Sequence, residues 1–179
     1  MDEHEVRRTI VEDEYYPAHD QRSESEIFRR TKAAGERAGL RCAVSGRADG
    51  LEYHHVFLEW ADADGVDWAT VKGVATGTIL ALPVLDAHTD MPSGESYPAE
   101  QSLIWVICRL AAARGFDWAS FDPSKPETFV DSPANMLVLN EKFHRAKFHG
   151  IHAETFPVWV FQAWPRVAGF VISPDDKKS

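Results

Sequence analysis

The chain has 179 residues, 28 of them acidic and 19 basic, for a formal net charge of −9, with 44% hydrophobic and 26% charged side chains. That length suits a single domain with a sizeable core, and no apolar run approaches the ~20 residues of a membrane-spanning helix. The acidic balance works against the simplest picture of a nucleic-acid binder, because Lys and Arg supply most non-specific affinity for phosphate, and two distant cysteines, Cys42 and Cys108, exclude a disulfide framework or a four-cysteine zinc site and fit a reducing, cytoplasmic setting.

Residues 1–22 read as an irregular, strongly acidic leader without the basic and apolar regions of a secretory signal. One domain is expected over 23–179. Ser23 to Glu26 offers a capping box for a helix running to about Ala38 and ending at Gly39, with Arg29, Arg30, Lys32 and Arg37 forming a basic face that continues to Arg41. Arg41–Val44 and Leu51–Leu58 then read as two strands of a hairpin joined by a Gly- and Asp-containing loop. The segment from about 60 to 131 reads as a helical insertion, with helices expected at Asp67–Val74, Thr76–Leu85 and Glu100–Arg114, the last from its apolar spacing. Ser132-Pro133-Ala134-Asn135 leads into a segment predicted to be helical from Leu139 to Lys147, broken by Gly150. An aromatic helix over Phe156–Trp164 and a short strand at Ala168–Ile172 complete the expected α+β chain.

The histidines carry the chemistry. On a strand, His54 and His55 project to opposite faces, which suits one ring to a metal and the other to a substrate. Hydrolysing a phosphodiester requires an activated water, a cation to stabilise charge on the phosphate, and a geometry that holds both. Imidazole near its ordinary pKa can serve as the base, and imidazole nitrogens suit Zn²⁺, Ni²⁺ or related ions better than Mg²⁺.

The strand pair through Leu51-Glu52-Tyr53-His54-His55-Val56, followed by Ser132-Pro133-Ala134-Asn135 and then His144, resembles the HNH endonuclease signature, that of the ββα-metal or His-Me finger proteins. The nine-residue step from Asn135 to His144 is similar to that family's step from its central Asn to the metal ligand on its helix. The resemblance implies a ββα-metal core with additional helices packed around it. It implies His54 and His144 as ligands of one divalent metal (Mg, Mn, Ni or Zn), His55 as general base, and Asn135 as the residue that fastens the loop and holds the base. Family members with a third histidine ligand carry it one helical turn after the second, where this chain has Phe148; His149 is the nearest substitute and His152 the next. Gly150-Ile151-His152 and the Phe156-Pro157-Val158-Trp159 that follows are similar to phage- and prophage-encoded HNH proteins.

Lys142, Arg145 and Lys147 flank His144 and are the candidate phosphate contacts. The expected activity is metal-dependent cleavage of DNA, by a monomer or a homodimer. The competing expectation is a non-catalytic protein of the same fold that engages a protein partner, which the acidic charge favours. His4, His19 and His88 read as solvent-exposed, and Asp86, Asp90 and the acids near Glu59 as surface or outer-sphere groups.

Overall fold

The computed structural model describes residues 23–86, 88–89, 91–145, 150–153 and 164–168. These form a mixed α+β structure, and among them no helix is long and apolar enough to cross a membrane. The expected leader, the aromatic helix up to residue 163 and the terminal strand beyond residue 168 lie outside the described residues.

Helix α1, Glu26–Arg37, is capped by Ser25, whose Oγ accepts from the Phe28 N–H at 2.9 Å. The cap is therefore Ser25 and not the predicted Ser23, since Ser25 has the extended backbone that lets its hydroxyl turn back onto the first turn. The helix ends at Ala38, and Gly39 follows at φ +62°. Its buried face is Phe28, Thr31 and Gly35.

The predicted hairpin is not formed. Arg41–Val44 curls on itself, Cys42 N–H donating to Arg47 O and Gly46 N–H to Cys42 O, both at 2.9 Å. Strand β1, Leu51–His55, runs antiparallel to the later β4, Met136–Asn140, with Leu51 opposite Asn140 and His55 opposite Met136. The hydrogen-bond partner that a hairpin would have provided comes instead from about 80 residues further along the chain.

Between these strands, Asp67 caps α2, Trp68–Thr76, which Gly77 ends in the left-handed conformation at φ +74°. Thr76–Leu85, predicted as a helix, is instead the connection into β2, Ala81–Leu85, paired antiparallel with β3, Pro92–Pro98. Gly77 stops the preceding helix and Pro83 cannot sit in a helix interior, so these residues extend. Helix α3, Leu103–Ala113, is capped by Ser102 and buries Ile104, Ile107, Cys108 and Ala111. A short α4, Glu127–Val130, leads to the turn that starts β4, and α5, Glu141–Arg145, follows β4 directly.

The core lies among α2, α3, α4 and the turns around them. Val71, Ala111, Phe129 and Val130 are fully buried, and Trp68, Trp118, Phe121 and Trp164 surround Phe129 or pack beside it. Trp164 donates from Nε1 to Phe57 O at 3.0 Å, fastening the distal segment to the residues just after β1.

Candidate metal centre

Asn135 explains how the two halves of the chain meet. It is fully buried. Its Oδ1 accepts from the N–H groups of Phe57 and Leu58 at 2.9 and 3.2 Å, and its Nδ2 donates to Leu58 O and Val130 O, each at 2.9 Å. One amide thereby saturates its hydrogen-bonding capacity by joining the turn after β1 to α4 and the start of β4.

His54 and His55, adjacent on β1, are both buried but serve opposite sides of the strand. His54 shares its side with Glu52, two residues earlier, and faces α5. Its ring lies 5.3 Å from that of His144 and 4.9 Å from that of His152, centroid to centroid. His54, His144 and His152 each offer a ligand atom, all within 4.8 Å of one another. His152 sits on a 3₁₀ turn, Ile151–Ala153, so the third histidine of the group is the second of the two weighed from the sequence. His149 and Lys147 lie outside the described residues.

The ring nitrogens are oriented by carboxylates. His144 Nδ1 lies 2.6 Å from Glu52 Oε2. An ionised carboxylate only accepts, so Nδ1 carries a proton, and in the neutral ring Nε2 keeps its lone pair for a metal or a second hydrogen bond. That Nε2 faces His152 Nε2 at 2.9 Å. Burial works to raise the Glu52 pKa, but hydrogen bonds from His144 and Arg145 outweigh it and hold the carboxyl below its usual range. Burial is also the main reason His54 falls to about 4, with the charges of His152, His144 and His55 acting in the same sense and Glu59 opposing them. His152 is lowered chiefly by burial and next by His144. Neutral imidazoles are the form that binds metals.

The donor set fits a divalent cation. Tetrahedral bonds of about 2.0–2.1 Å separate ligand nitrogens by roughly 3.4 Å, which the 2.9 Å gap between His144 and His152 and the position of His54 allow with small ring adjustments. Three imidazoles favour Zn²⁺, Ni²⁺ or Cu²⁺ over Mg²⁺, and they would leave a coordination position for water.

His55 turns the other way. Its Nε2 is 3.0 Å from Asp131 Oδ1, its Nδ1 3.4 Å from Glu59 Oε2, and its ring stacks on Phe28 with centroids 6.1 Å apart. Asp131 is itself buried and accepts from Ser25 Oγ at 2.6 Å. Glu59 reaches both histidines, its Oε1 lying 4.0 Å from His54 Nδ1. Burial tends to raise Glu59, but the hydrogen bond to His55 and the charges of His55, His54 and His152 leave it below the usual carboxylate range.

Of the proposed phosphate contacts, Arg145 is paired with Glu52, donating from Nε to Oε2 at 2.9 Å and pairing through Nη2 with Oε1. Lys142 is exposed on the first turn of α5. Along α1, Arg30 pairs with Glu26, Lys32 with Glu24, and Arg29 donates to Glu24 O, so these basic groups are answered locally. His88 is exposed, and Asp86 accepts from the backbone of His88 and Thr89 within its own turn. Glu52 was legible from strand alternation, two residues before His54; Asp131 carried no local signal.

No protein-family model, curated protein or solved structure matches this chain.

Proposed function

We propose that this chain is an HNH-type endonuclease, in which β1, β4 and α5 form the ββα unit and one divalent metal is held by His54, His144 and His152. The observation that carries the reading is the convergence of these three histidines from β1, α5 and the following turn, with Glu52 fixing His144 so that its Nε2 lone pair faces the other rings. When bound, the metal supplies charge stabilisation on the phosphate and lowers the pKa of a water ligand. His54, buried and largely uncharged, offers a lone pair without first shedding a proton. Asn135 holds the turn after β1 against β4 and so fixes where His54 and His55 leave the strand. The sequence resemblance assigns His55 as the proton acceptor; with its Nε2 facing Asp131, that role requires its Nδ1 to give up the contact with Glu59 and present a lone pair. Lys142, exposed on α5 and in no ion pair among the described residues, is the cation proposed to take a DNA phosphate.

A second reading, a non-catalytic protein of the same fold that binds a protein partner, is favoured by the enclosure of His55 between Asp131 and Glu59 and by the net charge of −9. Plasmid nicking separates the two. Purified protein is stripped with EDTA and resupplied with Mg²⁺, Mn²⁺, Ni²⁺ or Zn²⁺, alongside His55→Ala and His144→Ala. The nuclease reading expects cleavage that needs added metal, is lost in both variants, and in His55→Ala is lost while metal still binds. A folded, metal-loaded wild type that cuts no nucleic acid supports the second reading; full activity in His55→Ala removes that residue as base.

A further inference from the structure

Glu59 stands where the two sides of β1 meet. Adjacent strand residues project to opposite faces, yet this carboxylate, placed beyond the end of the strand, has Oε2 3.4 Å from His55 Nδ1 and Oε1 4.0 Å from His54 Nδ1. Oε1 is buried without a hydrogen-bond partner, the only carboxylate oxygen so placed among the described residues. A buried acceptor left unmade is costly, and the His54 ring stands 4.0 Å away with a nitrogen able to answer it. Oε2 is anchored on its far side by a row of groups, the buried His55 meeting Asp131 Oδ1 through Nε2 at 3.0 Å and the partly buried Ser25 donating from Oγ to Asp131 Oδ2 at 2.6 Å.

The same arrangement already exists one residue pair away, where Glu52 takes His144 Nδ1 at 2.6 Å and leaves Nε2 to the cluster. Metal-binding histidines commonly donate their second ring N–H to a carboxylate, which sets the tautomer and raises the basicity of the ligand nitrogen. Glu59 is outside the group of atoms that lie within 4.8 Å of one another, which puts it one layer out from the ligands.

We propose that Glu59 is the positioning residue of the metal centre: its Oε1 accepts the Nδ1–H of His54 and fixes the other ring nitrogen as the ligand, while its Oε2 ties that histidine's support to the buried His55–Asp131 pair. This rests on the reading of His54, His144 and His152 as a metal site. It gives the two adjacent histidines one shared brace, so that binding a cation at His54 and the setting of His55 are mechanically linked.

The test measures Zn²⁺ affinity by competition with a chromophoric chelator for wild type, Glu59→Ala, Glu59→Gln and His144→Ala, each first shown to unfold cooperatively. Glu59→Ala is expected to bind about 10- to 100-fold more weakly, and Glu59→Gln, whose amide oxygen still accepts, to recover part of that loss. Nitrogen-15 NMR of the Zn²⁺-loaded protein is expected to report His54 protonated at Nδ1 in wild type and Glu59→Gln, with that signal exchanging or lost in Glu59→Ala. A purely structural role for Glu59 would leave the tautomer unmoved. The Co²⁺ absorption spectrum is expected to be the same in wild type and Glu59→Gln. Affinity of Glu59→Ala within twofold of wild type, or His54 protonated at Nε2 in the loaded wild type, overturns the proposal. A Co²⁺ spectrum in Glu59→Gln that reports a lost oxygen ligand overturns it in favour of direct coordination. If Glu59→Ala does not fold, the wild-type tautomer and the Co²⁺ comparison decide. Wild type that binds neither Zn²⁺ nor Co²⁺ removes the metal site itself, whereas unchanged Glu59→Ala beside a His144→Ala that no longer binds removes Glu59 alone.

Discussion

The ring of His54 is 2% exposed, and burial is the main cause of its fall from the usual 6.5 to about 4. A depressed histidine pKa means that between those values the unfolded chain binds a proton the folded chain refuses. Stability held by the neutral ring is therefore fully present above pH 6.5 and declines as pH falls toward 4, by about 2 kcal/mol at pH 5. His152 is shifted in the same direction and adds to the slope. Glu59 and Glu52 are depressed carboxylates, whose stabilisation is lost only below the ordinary carboxylate range near 4.5. The interval from pH 5 to 6.5 thus isolates the histidines. The melting temperature of metal-free protein should fall across that interval, and His54→Asn should flatten the fall. An equally steep fall in the variant would show that the slope arises elsewhere. Glu52, which lies on the same side of the strand as His54 and holds His144, was readable from alternation, since the two differ by two. Asp131 and Glu59 reach His55 through turns whose course no short-range pattern fixes.

At the scale of elements, α1 and β1 are held at close range by a glycine. A Cβ on Gly35 would lie 2.1 Å from Tyr53 Oη and 3.2 Å from its Cζ, and that hydroxyl donates to Lys32 O at 3.2 Å. Gly35→Ala has helix propensity in its favour by roughly 1 kcal/mol, but the added methyl overlaps the Tyr53 hydroxyl and ring edge, which must shift to admit it. It should destabilise by about 1–3 kcal/mol. Tyr53→Phe removes the clashing oxygen, so the double variant should be more stable than the sum of the two single changes predicts, a coupling measurable by urea unfolding. Strict additivity would place Tyr53 elsewhere. Helix α1 was legible from its Ser- and Glu-rich start and α3 from its apolar spacing, while the caps that set the starts, Ser25 and Ser102, differ from the expected Ser23 and from a start at Glu100. Residues 41–44 and 76–85 were misread for the same reason: short apolar runs do not reveal their hydrogen-bond partners. Gly77 and Pro83 were the local signs that the second run could not be a helix.

For the whole molecule, the charge of −9 and the local pairing of Arg29, Arg30, Lys32 and Arg145 leave few cations for DNA. Each neutralised phosphate contributes a slope near −0.9 to the dependence of log affinity on log salt. Binding to duplex of arbitrary sequence, followed by fluorescence anisotropy, should therefore be weak, with a slope no steeper than about −3. A slope near −8 would mean that a basic surface exists beyond the residues described. The sequence by itself determined the α+β class, the placement of α1, α2 and α3 to within a turn, and His54, His144 and Asn135 as candidates, because helical spacing and side-chain chemistry are local properties. Only the tertiary structure decided that β1 pairs with β4, that His152 stands beside His54 and His144, and that His55 faces Asp131 and Glu59. Those are contacts between distant parts of the chain, selected by the burial of the aromatic core and by the four hydrogen bonds of Asn135, and no local pattern encodes them.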